Sequence, residues 1–552
     1  MDRKTLLAFA LIAVVLIFTP WYMDMVAPPT MNSGVDSTAS TPTFSTEKKE
    51  GYRDPIIQNR ESALSPTVPS REFVVRNGLY TTTLSNLNGG SFSKYILEKY
   101  SKYDSSKVNI VDKYNKENLL IKFVSLDGDD VSLTNNWSAV NSEPKIDATA
   151  KQKSLTFKTK FENHIITKRF TFYPKTYKIG LEVGFDSPDR YLSRAQYSLH
   201  WNGGLAPTEK NQKDEFTHFK GYAYLGDELL KPSVKAGQTT EEKQTGNTNW
   251  TATKTKYFIS AIIPEAPGVG GVVRGFVDGK RPIFSTELRQ STAQSGRFDL
   301  YIGPLEYGRI TALGVGLEET MELGWAIIRP LGRLVTWSLS KMYNMVPNYG
   351  LVVIIFAILV KILLNPLTKR SFQSNRRMQD IQPKVQKLKE KYKNDSQKFS
   401  RAQMDLFKEE GVNPMGGCFP MLLQMPILIA FFSVFRTTIE FRGAPFFGWI
   451  TDLSSPDTLM TVAGFPINIL PFLMGATMFL QQKLMASPTS GTQQKVTMYA
   501  MNVFFLFLFY SFPSGLNLYY SVFNILSIVQ QKYLTPAPAK NPPVAAKRTK
   551  KK

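Results

Sequence analysis

Cysteine is nearly missing from this 552-residue chain. The single Cys418 allows no disulfide within it, so a large exported domain would have to rest on its apolar core alone. Cys418 stands in an apolar run, where a buried, inert thiol is expected. Histidine is scarce too. His164, His200 and His218 are scattered singly, and no His/Cys cluster has metal-ligand spacing. No metal and no cofactor is expected. No G-x-x-x-x-G-K-[ST] loop is present, which excludes ATP hydrolysis through a P-loop. The long apolar runs carry no acidic residue, which argues against a proton- or sodium-coupled transporter. The chain is expected not to be an enzyme. Negative charge is also in short supply, with 67 Lys and Arg against 45 Asp and Glu, a net charge of +22. Much of that surplus flanks apolar runs, which favours an anionic bilayer over nucleic acid, and no specific nucleic-acid sequence is expected as a partner.

What the chain has is a set of apolar spans, and the one that organises the rest is Tyr349–Pro366. Residues 351–360 are apolar, then comes Lys361, then Ile362, Leu363, Leu364 and Asn365-Pro366. A charge at bilayer depth costs roughly 2.5–3.5 kcal/mol on the insertion scale, so its default reading is functional. The other reading is a lysine that snorkels to the near interface.

Taken in order, residues 1–22 read as an uncleaved transmembrane anchor. Arg3 and Lys4 precede an apolar stretch, Trp21 and Tyr22 follow it, and no small-x-small cleavage site intervenes. Residues 23–70, rich in Pro, Ser, Thr and Asn, read as a flexible tether. Residues 71–318 hold many short β-type runs bounded by Gly, Pro, Asn and Asp. The alternation Leu155, Phe157, Thr159, Phe161 is that of a half-buried strand. An all-β sandwich is expected there. Residues 319–345 form a basic, Trp-bearing amphipathic helix, either interfacial or packed in the core.

Residues 346–367 are the second span. Residues 368–412 hold two helical patterns separated by Asn394-Asp395-Ser396, an αα-hairpin with charged outer faces. Residues 413–534 carry four more apolar spans, near 418–434, 465–480, 496–512 and 516–529, and residues 535–552 are a basic tail. The linkers at 368–411 and 481–495 and the tail hold Lys and Arg, whereas 441–461 has only Arg442. Six spans with an inside N-terminus put every basic segment in the cytoplasm and the sandwich outside. Most spans are shorter than the roughly 20 residues a bilayer asks for, so a locally thinned bilayer is expected.

The motifs Asn365-Pro366-Leu367-Thr368-Lys369, the run from Val412 through Asn413-Pro414-Met415-Gly416-Gly417 to Pro420, Gln424-Met425-Pro426 and Phe512-Pro513-Ser514-Gly515-Leu516-Asn517-Leu518-Tyr519-Tyr520 resemble the core of the YidC/Oxa/Alb family of membrane-protein insertases. The β-type region, with Tyr257-Phe258-Ile259-Ser260 and Phe298-Asp299-Leu300-Tyr301, resembles that of Gram-negative members. The resemblance implies an all-α five-helix transmembrane core around a positively charged hydrophilic groove, a cytoplasmic helical hairpin, an N-terminal anchor and an exported β-sandwich. It implies an inner-membrane protein with both termini cytoplasmic that inserts and folds nascent membrane proteins, alone or with the Sec translocon. The ribosome would be met through the hairpin and the basic tail. Lys361 stands where the family usually carries arginine; it keeps the charge but loses the planar fork. Gln424 with Met425, Asn517, Tyr519 and Tyr520 complete the implied groove, and Ala357 replaces a frequent threonine. Two other readings stay open: a membrane-anchored periplasmic sugar-binding or epimerase-like sandwich, whose chemistry needs histidines and a carboxylate in one cleft, and a small-molecule channel.

Overall fold

A computed structural model describes residues 68–534, except 116–117, 141–142, 325–326, 394, 413–418 and 486–491. The expected N-terminal anchor, most of the tether, Cys418 and the basic tail lie outside the described residues. The N-terminal part is sheet-rich and the C-terminal part helical.

The alternation in the sequence becomes burial in the sheet. In the strand Lys153–Phe161, Leu155, Phe157, Thr159 and Phe161 are buried while Lys158 and Lys160 are exposed. It pairs antiparallel with His164–Phe172, setting Leu155 opposite Phe170. Among the described residues the N-terminal strands form a five-stranded and a fourteen-stranded sheet. Their facing sides meet through aromatic rings: Phe73 on Phe157 at 5.6 Å, Phe92 on Phe170 at 6.1 Å and Tyr80 on Tyr177 at 6.5 Å. Such pairs contribute beyond the area they bury. The Tyr95 hydroxyl crosses between the sheets to the carbonyl of Ile302 at 3.0 Å. The region is sandwich-like, as its pattern predicts.

Eight helices matter for the site. Helix α1 is Arg329–Tyr343, α2 Tyr349–Asp380, α3 Gln382–Lys391, α4 Ser396–Glu409, α5 Phe419–Thr437, α6 Leu470–Met485, α7 Thr492–Phe509 and α8 Ser514–Val529. On α2, Val352, Val353, Phe356, Ala357 and Val360 are buried, whereas Leu351, Ile355, Ile358, Leu359, Ile362 and Leu363 are exposed. This is an apolar helix with an inner and an outer face, both hydrophobic. Among the described residues Tyr349–Pro366 alone is long and apolar enough to cross a membrane; Gln424–Thr437 and Met498–Phe509 are shorter apolar stretches.

Three boundaries differ from those the sequence suggests. The amphipathic helix expected over 319–345 is α1, which begins only at Arg329, its first turn led by Pro330, after a short 3-10 turn at Leu317–Thr320. The span ending at residue 367 does not break; α2 runs through Pro366 to Asp380. Proline removes one donor, and the following turn is tied by the Thr368 hydroxyl to the carbonyls of Leu364 and Asn365. The apolar run 465–480 divides. Phe465–Asn468 is a strand paired with Thr458–Val462, and the helix begins only at Leu470. The turn residues Ala463 and Gly464 take positive φ, and Asp457 Oδ2 accepts from the amides of Ile469 (2.9 Å) and Leu470 (2.7 Å), starting the helix there.

The helices α3 and α4 form the expected hairpin around Ile381, Val385, Phe407 and Val412. Asp395 Oδ1 caps α4 by accepting from Lys398 N at 3.0 Å. The sheet-rich region meets the helices through charge. Arg442 binds Glu209 at 2.8 Å, Arg436 binds Asp214, and the Tyr307 amide donates to Glu440 at 3.2 Å.

Candidate functional site

Helix α8 sets the site. It packs on α2 and α6 and touches α5. Small and polar residues recur along it at helical spacing: Asn517, Ser521, Asn524 and Ser527, all buried. Four polar side chains along an apolar helix need partners, and neighbouring helices and the helix's own carbonyls supply them. Asn517 donates to the carbonyl of Phe509 at 3.2 Å, Ser521 to that of Asn517 at 2.8 Å, and Asn524 reaches Thr477 on α6 at 3.4 Å.

Lys361 enters this stripe from α2. It is only 7% exposed, and its Nζ donates to Ser527 Oγ at 2.6 Å and lies 4.6 Å over the Phe523 ring. Less than a turn past Ser527, Gln530 donates to Thr368 Oγ1 at 3.2 Å and to the Asn365 side chain, two turns and one turn along α2 from Lys361. A polar ladder therefore links α2 to the C-terminal end of α8. The snorkelling reading requires the ammonium to leave the protein, and it does not.

The aromatic part of the site is packed. Tyr519 stacks on Phe431 of α5 at 4.2 Å and lies 5.1 Å from Tyr520, whose ring meets Phe509 edge-on at 5.6 Å. The hydroxyls of Tyr519 and Tyr520 are buried and have no hydrogen-bond partner among the described residues, as does Asn517 Oδ1. Gln424 is half-buried and Met425 exposed, on the turn of α5 before Pro426. Lys361 meets Ser527 and Phe523, whereas Gln424 and Met425 stand on α5. The structure thus gathers Lys361, Asn517, Tyr519 and Tyr520 along the contact surfaces of one helix and leaves Gln424 and Met425 on another.

Ser521, Ser527 and Gln530 are site residues that motif reading passes over. Their signal is spacing: Ser521 stands one turn beyond Asn517, and Ser527 and Gln530 follow Asn524 at three-residue steps, so the polar stripe drifts around the helix toward α2. Two cavities are described, one of about 430 Å³ between α3 and α4 and one of about 690 Å³ on the large sheet; Lys361 lines neither.

The three histidines do not converge. His164 stacks on Tyr191 at 4.8 Å. His200 Nε2 bonds Ser198 Oγ at 2.8 Å, and burial pushes the imidazole down to about 4 despite Glu287 nearby. His218 Nδ1 bonds Glu322 at 2.5 Å; burial outweighs that carboxylate and lowers its pKa. Each has its own partners, which is not the cleft that epimerase chemistry needs. Among the described residues no three His, Cys, Asp or Glu are grouped to hold a metal ion.

Residues 341–540 match the family described as 60Kd inner membrane protein, and residues 72–334 match the YidC periplasmic domain. A membrane protein insertase YidC of Chlorobium limicola is 32% identical over 560 residues, covering 97% of this chain and 94% of its own. That of Chlorobium phaeovibrioides is 31% identical over 579 residues, covering 100% and 99%. A solved structure, an active YidC insertase with its first transmembrane domain resolved, is 16% identical with a TM-score of 0.38, covering 85% of this chain and 94% of its own.

Proposed function

The chain belongs to the YidC family of membrane protein insertases, inner-membrane proteins with a periplasmic domain, and from that premise we propose that a nascent client segment is received beside Lys361 and the polar face of α8. The observation that carries this reading is the buried ammonium of Lys361 held at Ser527, inside the helix bundle instead of at its rim. An acidic client flank at about 4 Å would gain roughly 4 kcal/mol at an effective dielectric of 20, before desolvation is subtracted. The apolar client helix supplies the rest as it leaves water, at about 0.8 kcal/mol per buried CH₂. With an inside-negative membrane potential, an acidic tail is drawn outward by about 2.3 kcal/mol per charge per 100 mV.

In this reading Gln424, Met425, Asn517, Tyr519 and Tyr520 line the client path, the spans are six with the sheet-rich domain outside, and α3–α4 lies in the cytoplasm. The loop around Arg442, which holds a single cation, and the basic helix α2 beyond Pro366 support that orientation. The hairpin and the basic tail are suited to a ribosome, and the sheet-rich domain to the Sec translocon. The test is insertion of a short acidic-tailed client by Lys361→Arg and Lys361→Glu variants. Arg is expected to keep insertion and Glu to lose most of it; a Glu variant that inserts as well as the parent refutes the electrostatic role.

A further inference from the structure

The β-hairpin before α6 is built against the usual rule for strands. All five residues of Thr458–Val462 are exposed, as are the first three of Phe465–Asn468. Val462 faces Phe465 and Met460 faces Ile467 across the ladder. Directly opposed residues share a face, so these four apolar side chains form one surface. Phe465 at its tip is 74% exposed and Met460 53%. The reverse face adds Leu459 and Pro466. No charged residue occurs between Asp457 and Lys483, so neither face is solvated by charge. A soluble hairpin would bury one face or blunt it with lysine.

The hairpin is nonetheless firmly held. The Asn468 side chain donates to the Tyr510 carbonyl at 2.7 Å, and Thr458 Oγ1 donates to Asn468 Oδ1 at 2.8 Å. The Tyr510 hydroxyl donates to the Pro466 carbonyl. Trp449 Nε1 donates to Asp457, which also caps α6. Past the buried Asn468, Leu470 and Pro471, the first turn of α6 again exposes apolar side chains, Phe472 and Leu473.

We propose that residues 458–468 form a lipid foot, with Met460, Val462, Phe465 and Ile467 seated on the outer leaflet of the bilayer beside α6. The occupant is lipid because the uncharged apolar hairpin leads within a few residues into exposed apolar side chains of a helix read above as a span, and the proposal rests on that reading. Its depth is limited by the backbone. The two outer edges of the hairpin pair with no third strand among the described residues, and such edges are not tolerated in hydrocarbon. The foot therefore lies at the headgroup–acyl boundary, as amphipathic surface elements do. There it would crowd the outer leaflet next to the shortened spans, where a client emerges.

The test uses the full chain, with Cys418→Ser, in phosphatidylethanolamine/phosphatidylglycerol proteoliposomes. A fluorophore is attached at Phe465→Cys, or at Thr451→Cys on the exposed part of the preceding loop as reference. Iodide is expected to quench position 465 at least about threefold less than position 451, and lipid spin-labelled near the headgroup to quench 465 preferentially. Equal iodide quenching at both positions overturns the proposal. So does protection from iodide without lipid quenching, which means protein covers the face. Impermeant maleimide applied to spheroplasts separates the two readings. Failure to reach Thr451→Cys from outside refutes the span orientation itself, whereas labelling there with no lipid contact at 465 refutes the foot alone.

Discussion

Arg436 at the end of α5 donates from Nε to Asp214 of the sheet-rich region at 3.0 Å, a pair 222 residues apart in sequence. Asp214 also takes Lys256 at 2.8 Å. Burial works against its charge, but the two cations outweigh burial and hold the carboxyl below its usual range. Arg442 with Glu209 makes a second clasp at 2.8 Å. The sheet-rich domain is thereby fastened to the last turn of α5 and to the loop that follows it.

Removing Asp214 strands two cations, one of them nearly buried. Asp214→Ala should cost about 3 kcal/mol in thermal unfolding of the detergent-solubilised protein. Arg436→Ala leaves Asp214 its lysine and should cost about 1 kcal/mol. Equal losses for the two variants would contradict this division.

Glu440 makes the same junction sensitive to pH. Its Oε2 is buried, and burial, with Glu306 adding to it, pushes the carboxyl up to about 7 against the backbone amide of Tyr307 and the Lys99 charge. The folded value lies above the unfolded one, so the junction gains stability from the bound proton below about pH 4.5 and loses it as pH rises through about 7. Glu440→Gln should flatten that loss and add about 2 kcal/mol at pH 8, read from unfolding midpoints across pH.

Lys168 is fully buried in the sheet-rich core. It donates to the carbonyls of Asn88 (2.7 Å) and Leu119 (2.5 Å) and lies 5.7 Å over the Trp137 ring. Burial lowers its pKa to about 7. The unfolded lysine binds its proton up to about 10.5, so this residue makes stability rise between about pH 7 and 10. Lys168→Met should remove that rise. Trp fluorescence during urea unfolding at pH 7 and pH 9.5 checks it.

Ser527 gives Lys361 an internal acceptor. Ser527→Ala should weaken the hold on the ammonium by about 1.5 kcal/mol. Client insertion should fall several-fold while the protein stays folded, and Ser527→Thr should restore much of it. Full insertion by the alanine variant would show that the hydroxyl does not position the cation.

The Tyr520 hydroxyl is buried without a partner among the described residues, so Tyr520→Phe should leave stability unchanged or slightly raised. A drop in insertion with unchanged unfolding would identify that hydroxyl as a client contact. Tyr520→Ala should cost about 3–5 kcal/mol by opening a cavity against Phe509.

Much of this was legible in local pattern. The period-two burial of Lys153–Phe161, the paired helices around Ile381 and Phe407, and the apolar span bearing Lys361 follow from side-chain periodicity within a few turns of chain. Function followed from the motifs around Asn365, Gln424 and Tyr519. The break at 465–469 escaped because an apolar run has the same composition as strand or helix, and only the turn at Ala463-Gly464 and the Asp457 cap decide between them.

The sequence by itself determined the two kinds of region, which are written in side-chain spacing along each segment, and, through its motifs, the resemblance to the insertase family; it left Lys361 between burial and snorkelling. Only the tertiary structure decided that Lys361 meets Ser527 and that Arg436 clasps Asp214. Those pairs join positions 166 and 222 residues apart, and nothing in local propensity fixes which distant hydroxyl or carboxylate a buried charge will find. Packing of whole helices and sheets fixes it, and that packing is a property of the folded chain alone.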